Sequence, residues 1–176
     1  VNPRGGTANC LSTAVALDQQ RAGRPSLATA QHVPYEHDVY NFYGRLPISG
    51  VRQKSGASDA FSMGSLLKHV ESLPRGARGL LLVSPLGAEY GHAMVIENVN
   101  GRAVIMDAQN GYVVNPKALS TGVTLGMQSL PIGGSLQSLP DDASMKYQFL
   151  RTDDVRSPGS ALPKNVLQAR VVVVDR

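Results

Sequence analysis

Cys10 is the only cysteine among 176 residues, and it lies in Thr7-Ala8-Asn9-Cys10-Leu11-Ser12, where a helix is expected to begin. A sulfur in the first turn of a helix feels the positive end of the dipole, which favours thiolate. The unbonded N–H groups of that turn are also donors for an oxyanion formed when the sulfur attacks a carbonyl. A thiol used this way needs a base, and the base needs a group that fixes its tautomer and stabilises its protonated form. The alternative is plain: a lone cysteine is commonly a small buried hydrophobe, and residue type alone does not choose between the two.

The chain offers four histidines as that base. His32 and His37 lie in loop-like sequence, and His69 sits beside Lys68 on an expected helix. His92 differs because it opens an apolar run that ends at Asn100-Gly101, a two-residue hairpin signal. With a two-residue turn Val99 pairs with Arg102, and counting back in step sets Met94 opposite Asp107 and His92 opposite Gln109, all on one face. Asp107 is then the diagonal neighbour of His92, about 7 to 8 Å away between backbones, a gap that imidazole and carboxylate can close. A bulge would send Asp107 to the other face. Asp107-Ala108-Gln109-Asn110-Gly111 also reads as ordinary turn chemistry, and both readings stay open.

These residues need elements to hold them. Thr7 or Asn9 is expected to cap a helix running to about Ala22 and stopped by Gly23 and Pro25, with Leu11, Ala14, Val15 and Asp18 on one side. Val33 to Ala57, which holds Tyr35, Tyr40, Phe42 and Tyr43, is irregular and reads as a long surface segment. A second helix is expected from Ser58 to Leu73, because Met63, Leu66, Leu67 and Val70 follow helical spacing and Pro74 and Gly76 end it. Strands follow at Leu80–Val83, His92–Val99, Arg102–Asp107, Lys146–Thr152 and Ala169–Asp175. Ser120 to Asp142, rich in Gly, Ser and Pro, reads as a flexible loop. Helices first and strands afterwards favour an α+β domain with N-terminal helices packed on an antiparallel sheet.

Composition narrows the rest. The length suits a single domain spanning residues 1–176, and one cysteine allows no internal disulfide. No Cys/His cluster suggests zinc, and no cofactor is expected. No apolar run approaches the roughly 20 residues that cross a bilayer. Seventeen basic and thirteen acidic residues give a formal charge of +4 without a charged block, so nucleic-acid binding is not indicated. The start at Val1-Asn2-Pro3-Arg4 has neither an initiator Met nor a signal-peptide pattern, which suggests the C-terminal part of a longer protein.

Asn9-Cys10 opening a helix, Gly91-His92 opening a strand, and Asp107-x-Gln109-x-Gly111 after the Asn-Gly hairpin together resemble the papain-like-fold toxin domains of bacterial polymorphic toxins and effectors, often described as protein-glutamine deamidases. The resemblance spans roughly Asn2 to Pro116. It implies a papain-like core with Cys10 as nucleophile, His92 as general base and acid, and Asp107 as the group orienting His92. Gln109 matches a position that shapes the site or polarises the substrate amide, and Asn9 neighbours the oxyanion hole. The order Cys, His, Asp also matches papain-type proteases and transglutaminases. Papain proteases, however, carry a Gln six residues before the nucleophile, and this chain has Arg4 there. The resemblance further implies a monomer, secreted or delivered into the cytoplasm of a target cell, with a glutamine-bearing target protein and a cognate immunity protein as partners. A protein-binding module without catalysis, using the basic residues and the Tyr35, Tyr40 and Tyr43 segment, is the reading from another class.

Overall fold

Cys10 is the first residue of the first helix, α1 (Cys10–Arg21), in a computed structural model that describes residues 9–28, 36–52, 63–85, 91–114, 145–155 and 166–168. The helix stops where expected: Ala22 is its C-cap, Gly23 follows at φ 75°, and Pro25 lies two residues on. It is covered on more than the one side the sequence pattern indicates. Ser12, Thr13 and Ala16 are buried as well as Leu11, Ala14 and Val15. Small residues let neighbours close in all round, so the apolar period is blurred and the helix becomes a central rather than a surface element.

The chain continues through β1 (Ser26–Ala28), α2 (Glu36–Tyr43), β2 (Ile48–Arg52), α3 (Met63–Ser72), β3 (Arg78–Pro85), β4 (His92–Val99), β5 (Arg102–Asp107), β6 (Tyr112–Val114), β7 (Met145–Arg151) and β8 (Val166–Gln168). Among the described residues, six strands form one sheet in the order β2-β7-β3-β4-β5-β6, with every neighbour antiparallel. β1 and β8 pair separately as a small antiparallel sheet against α1. The architecture is the expected α+β, with helices packed on an antiparallel sheet.

Both faces of the large sheet are covered, which explains its continuous apolar runs. Along β3, Leu80 and Leu82 join α1 in one core cluster, while Leu81 joins Met63, Leu66 and Val70 of α3 in another. β4 alternates in the same way, with Ala93 and Val95 on the α1 side and Met94 and Ile96 on the α3 side. Asn98 fastens α3 to the hairpin: its amide donates to the Glu71 and Leu73 carbonyls and its Oδ1 accepts the Gly101 N–H at 2.7 Å.

The segment from Val33 to Ala57 is not all surface. It contains α2 and β2, and Val39, Phe42 and Tyr43 are buried against α1. Their i, i+3, i+4 spacing covers barely two turns, too short a stretch for a periodic signal to stand out. Of the expected second helix, Met63 onward is helical, and Ser58 to Ser62 would fall outside the described residues, as do the expected loop from Ser120 to Asp142 and the strand from Ala169 to Asp175.

Candidate active site

The Asn100-Gly101 turn has the left-handed backbone that the dipeptide predicts, with φ 53° and 83°. The β4–β5 ladder runs in the predicted register from Val99↔Arg102 to Val95↔Met106. No bulge interrupts it. His92, the first residue of β4, and Asp107, the last residue of β5, therefore lie diagonally, and His92 Nε2 is 2.8 Å from Asp107 Oδ2. Both side chains are buried. Gln109 does not face His92 across the ladder. It lies in the turn after β5, because Asp107 leaves β4 and pairs with Tyr112 of β6.

That turn is where the two open readings of Asp107-x-Gln109-x-Gly111 meet. Asp107 Oδ1 accepts the backbone N–H groups of Gln109 at 3.0 Å and Asn110 at 3.1 Å. Asp107 Oδ2 accepts the Asn110 side-chain amide at 2.9 Å as well as His92. One carboxylate thus closes its own turn and orients an imidazole. Asn110 was missed by sequence reasoning, although an Asp-x-x-Asn spacing before a glycine is itself a turn signal.

Electrostatics follow from this packing. Burial opposes charge on His92, but the hydrogen bond and negative charge of Asp107, with a further contribution from Cys10, outweigh it and lift the imidazole from 6.5 to about 9. Burial likewise pushes the Asp107 carboxyl up, yet the His92 and Asn110 hydrogen bonds leave it below its ordinary value. With Nε2 committed to Asp107, the ring's Nδ1 is buried and makes no hydrogen bond among the described residues. Nδ1 is the ring nitrogen that Asp107 leaves uncommitted.

Cys10 comes from a different part of the chain. It is half-buried, and its Sγ lies 4.0 Å from the Gly91 carbonyl, the residue before His92. Gly91 is held against β3: a Cβ there would sit 2.6 Å from the Val83 carbonyl oxygen and 2.9 Å from Ser84 Cβ. Only a glycine lets β4 begin this close to its neighbour, which fixes where His92 starts. Asn9 is buried at the N-cap, but its side chain makes no capping bond; its carbonyl accepts the Thr13 N–H at 2.9 Å. Among the rival bases, His69 lies on α3 with its ring edge-on to Phe149 at 6.0 Å, whereas His32 and the His37 side chain lie outside the described residues.

Among the described residues no group of three or more His, Cys, Asp or Glu is placed to hold a metal ion, and no helix is long and apolar enough to cross a membrane. A search of curated proteins finds no match. A family model described as papain fold toxin 1, glutamine deamidase, matches residues 8–112, which takes in Cys10, His92, Asp107 and the turn after it. The match covers more than half of the chain, from the start of α1 to the first residue of β6. This chain belongs to the papain fold toxin 1, glutamine deamidase family.

Proposed function

We propose that the domain is a cysteine-dependent hydrolase that deamidates a glutamine side chain of a target protein, with Cys10 as nucleophile, His92 as general acid and base, and Asp107 as the group that orients His92. The observation that carries this reading is the grouping of half-buried Cys10 with a buried imidazole that is bonded to a carboxylate through its other nitrogen. With the proton already on His92, the Cys10 thiolate attacks the amide carbon. N–H groups at the start of α1 stabilise the oxyanion. The imidazolium then protonates the departing nitrogen, ammonia leaves, and a thioester joins Cys10 to the former glutamine. A water molecule, giving its proton to His92, attacks the thioester; Cys10 leaves as thiolate, His92 again carries the proton, and the product is glutamate. Asn9 and Gln109 flank the proposed centre, and Gln109 is assigned to shaping the turn that holds Asp107. No metal or organic cofactor enters any step.

The family's description as a toxin supports a domain secreted or delivered into a target cell, acting on a protein there and restrained in the producer by an immunity protein. Incubation with candidate target proteins is expected to add about one mass unit at a glutamine by exchange of NH2 for OH through an acyl-enzyme, and Cys10→Ala is expected to abolish it. Persistence of the mass change in Cys10→Ala would sink the assignment. A cross-linked or cleaved product in place of glutamate would identify an amine or a peptide bond as the reacting partner, as in transglutaminases and proteases. The non-catalytic module loses part of its basis, because Tyr43 is buried with its hydroxyl donating to Asp18 at 2.6 Å.

A further inference from the structure

Among the described residues, the Asp107 carboxylate takes four hydrogen bonds, and they are not equivalent. The two backbone N–H groups both end on Oδ1, and bonds to a single oxygen leave the carboxylate able to swing about that atom. The other oxygen is reached by His92 and by the Asn110 side chain. Asn110 belongs to the same turn as the backbone donors, so its amide completes a three-bond clamp that fixes both oxygens without any help from His92. An amide is also a donor that neither gains nor loses a proton across the working pH range.

We propose that Asn110 is a positioning residue: by pinning Asp107 Oδ2 it sets the carboxylate plane in advance, and thereby holds the His92 ring with Nδ1 turned to Cys10. This rests on the reading of Cys10, His92 and Asp107 as the catalytic group. Asn110 acts through Asp107. Among the described residues, the titratable groups that act on His92 are Asp107 from β5 and Cys10 from α1, and His92 from β4 acts in turn on Asp107. Asn110 is exposed and does not have a left-handed backbone, so replacing its side chain leaves the turn and its own N–H in place.

The test uses iodoacetamide as the probe of Cys10, with rates measured across pH, and the downfield ring N–H resonance of His92 as the probe of its bond to Asp107. Asn110→Ala is expected to slow alkylation at neutral pH by about three- to tenfold, the loss of one hydrogen bond from an exposed amide to the carboxylate, and to broaden or shift the His92 resonance. Asn110→Asp removes the donor and adds a carboxylate beside Asp107; it is expected to be at least as slow and to move the acid limb of the profile to higher pH, since two close carboxylates share a proton. Asn110→Ser restores a donor and is expected to return to within about twofold of the parent rate. Parent rates and an unchanged resonance in Asn110→Ala, with Asp107→Ala slow, overturn the positioning role alone. Parent rates in His92→Ala and Asp107→Ala as well overturn the catalytic reading beneath it.

Discussion

At the scale of single residues, the behaviour of the site turns on one proton. His92 holds it up to about pH 9, because Asp107 and Cys10 outweigh the cost of burying the charge. The general acid of the proposed reaction is therefore charged throughout the neutral range, and the alkaline limb of activity is expected near pH 9, read from kcat/KM against pH. Asp107→Asn removes the negative charge and is expected to lower activity by about a hundredfold or more, as loss of an orienting carboxylate does elsewhere, and to bring that limb down. The same pair leaves a mark on stability. A histidine raised on folding contributes fully below its unfolded value of 6.5, and that contribution is lost as pH rises through about 9. A lowered aspartate contributes above its unfolded 3.8, and its share is lost as pH falls through the depressed value. The difference in Tm between parent and Asp107→Asn is thus expected to be greatest between about pH 4 and 6.5 and to shrink towards pH 9 and above, followed by thermal melts across that range.

At the scale of elements, the three candidate groups share a property: each is at the end of its element. Cys10 begins α1, His92 begins β4 and Asp107 ends β5. Element ends are where the backbone changes direction and where chains from separate parts of the fold meet, so small errors in where an element starts translate directly into the site. Gly91 controls one such start. Gly91→Ala drives a Cβ against the Val83 carbonyl and Ser84, and β4 must shift to admit it. Activity is expected to fall by tenfold or more, with about 1–3 kcal/mol of stability lost to overpacking, measured by assay and denaturant unfolding of the same protein. The hairpin is the most readable element of all, because its register is set by two adjacent turn residues. Gln109 shows where that reasoning ends: the register does not run past the point where β5 turns to β6, and strand counting has no meaning inside a turn.

At the scale of the whole molecule, the end of α1 away from Cys10 is anchored by a buried polar cluster. The Asp18 carboxylate accepts hydrogen bonds from Arg78 Nε at 2.6 Å, the Tyr43 hydroxyl at 2.6 Å and the Thr152 hydroxyl at 2.5 Å. It joins α1, α2, β3 and the end of β7, and burial together with Asp18 drives the Tyr43 hydroxyl well above its ordinary pKa. Asp18→Ala leaves Arg78 charged and buried without its carboxylate and is expected to cost about 3–5 kcal/mol, whereas the double change Asp18→Leu with Arg78→Met is expected to cost less, since both charges go together. Denaturant midpoints of the two variants decide this. The cluster ties the helix that begins at Cys10 to the sheet.

The sequence by itself determined what neighbouring residues can enforce. Asn100-Gly101 set the hairpin and placed Asp107 diagonal to His92, Gly23 and Pro25 stopped α1, and the short motifs around Cys10, His92 and Asp107 carried the family resemblance. Tertiary structure alone decided that the Cys10 sulfur lies beside Gly91, that Asn110 completes the clamp on Asp107, that Asp18 meets Arg78 and Thr152, and that β7 enters the sheet between β2 and β3. The division has a physical cause. Turns, caps and apolar periods depend on the backbone preferences of a few adjacent residues, whereas long-range pairings repay their loop-closure entropy only when the whole core is buried at once. No local pattern carries that sum.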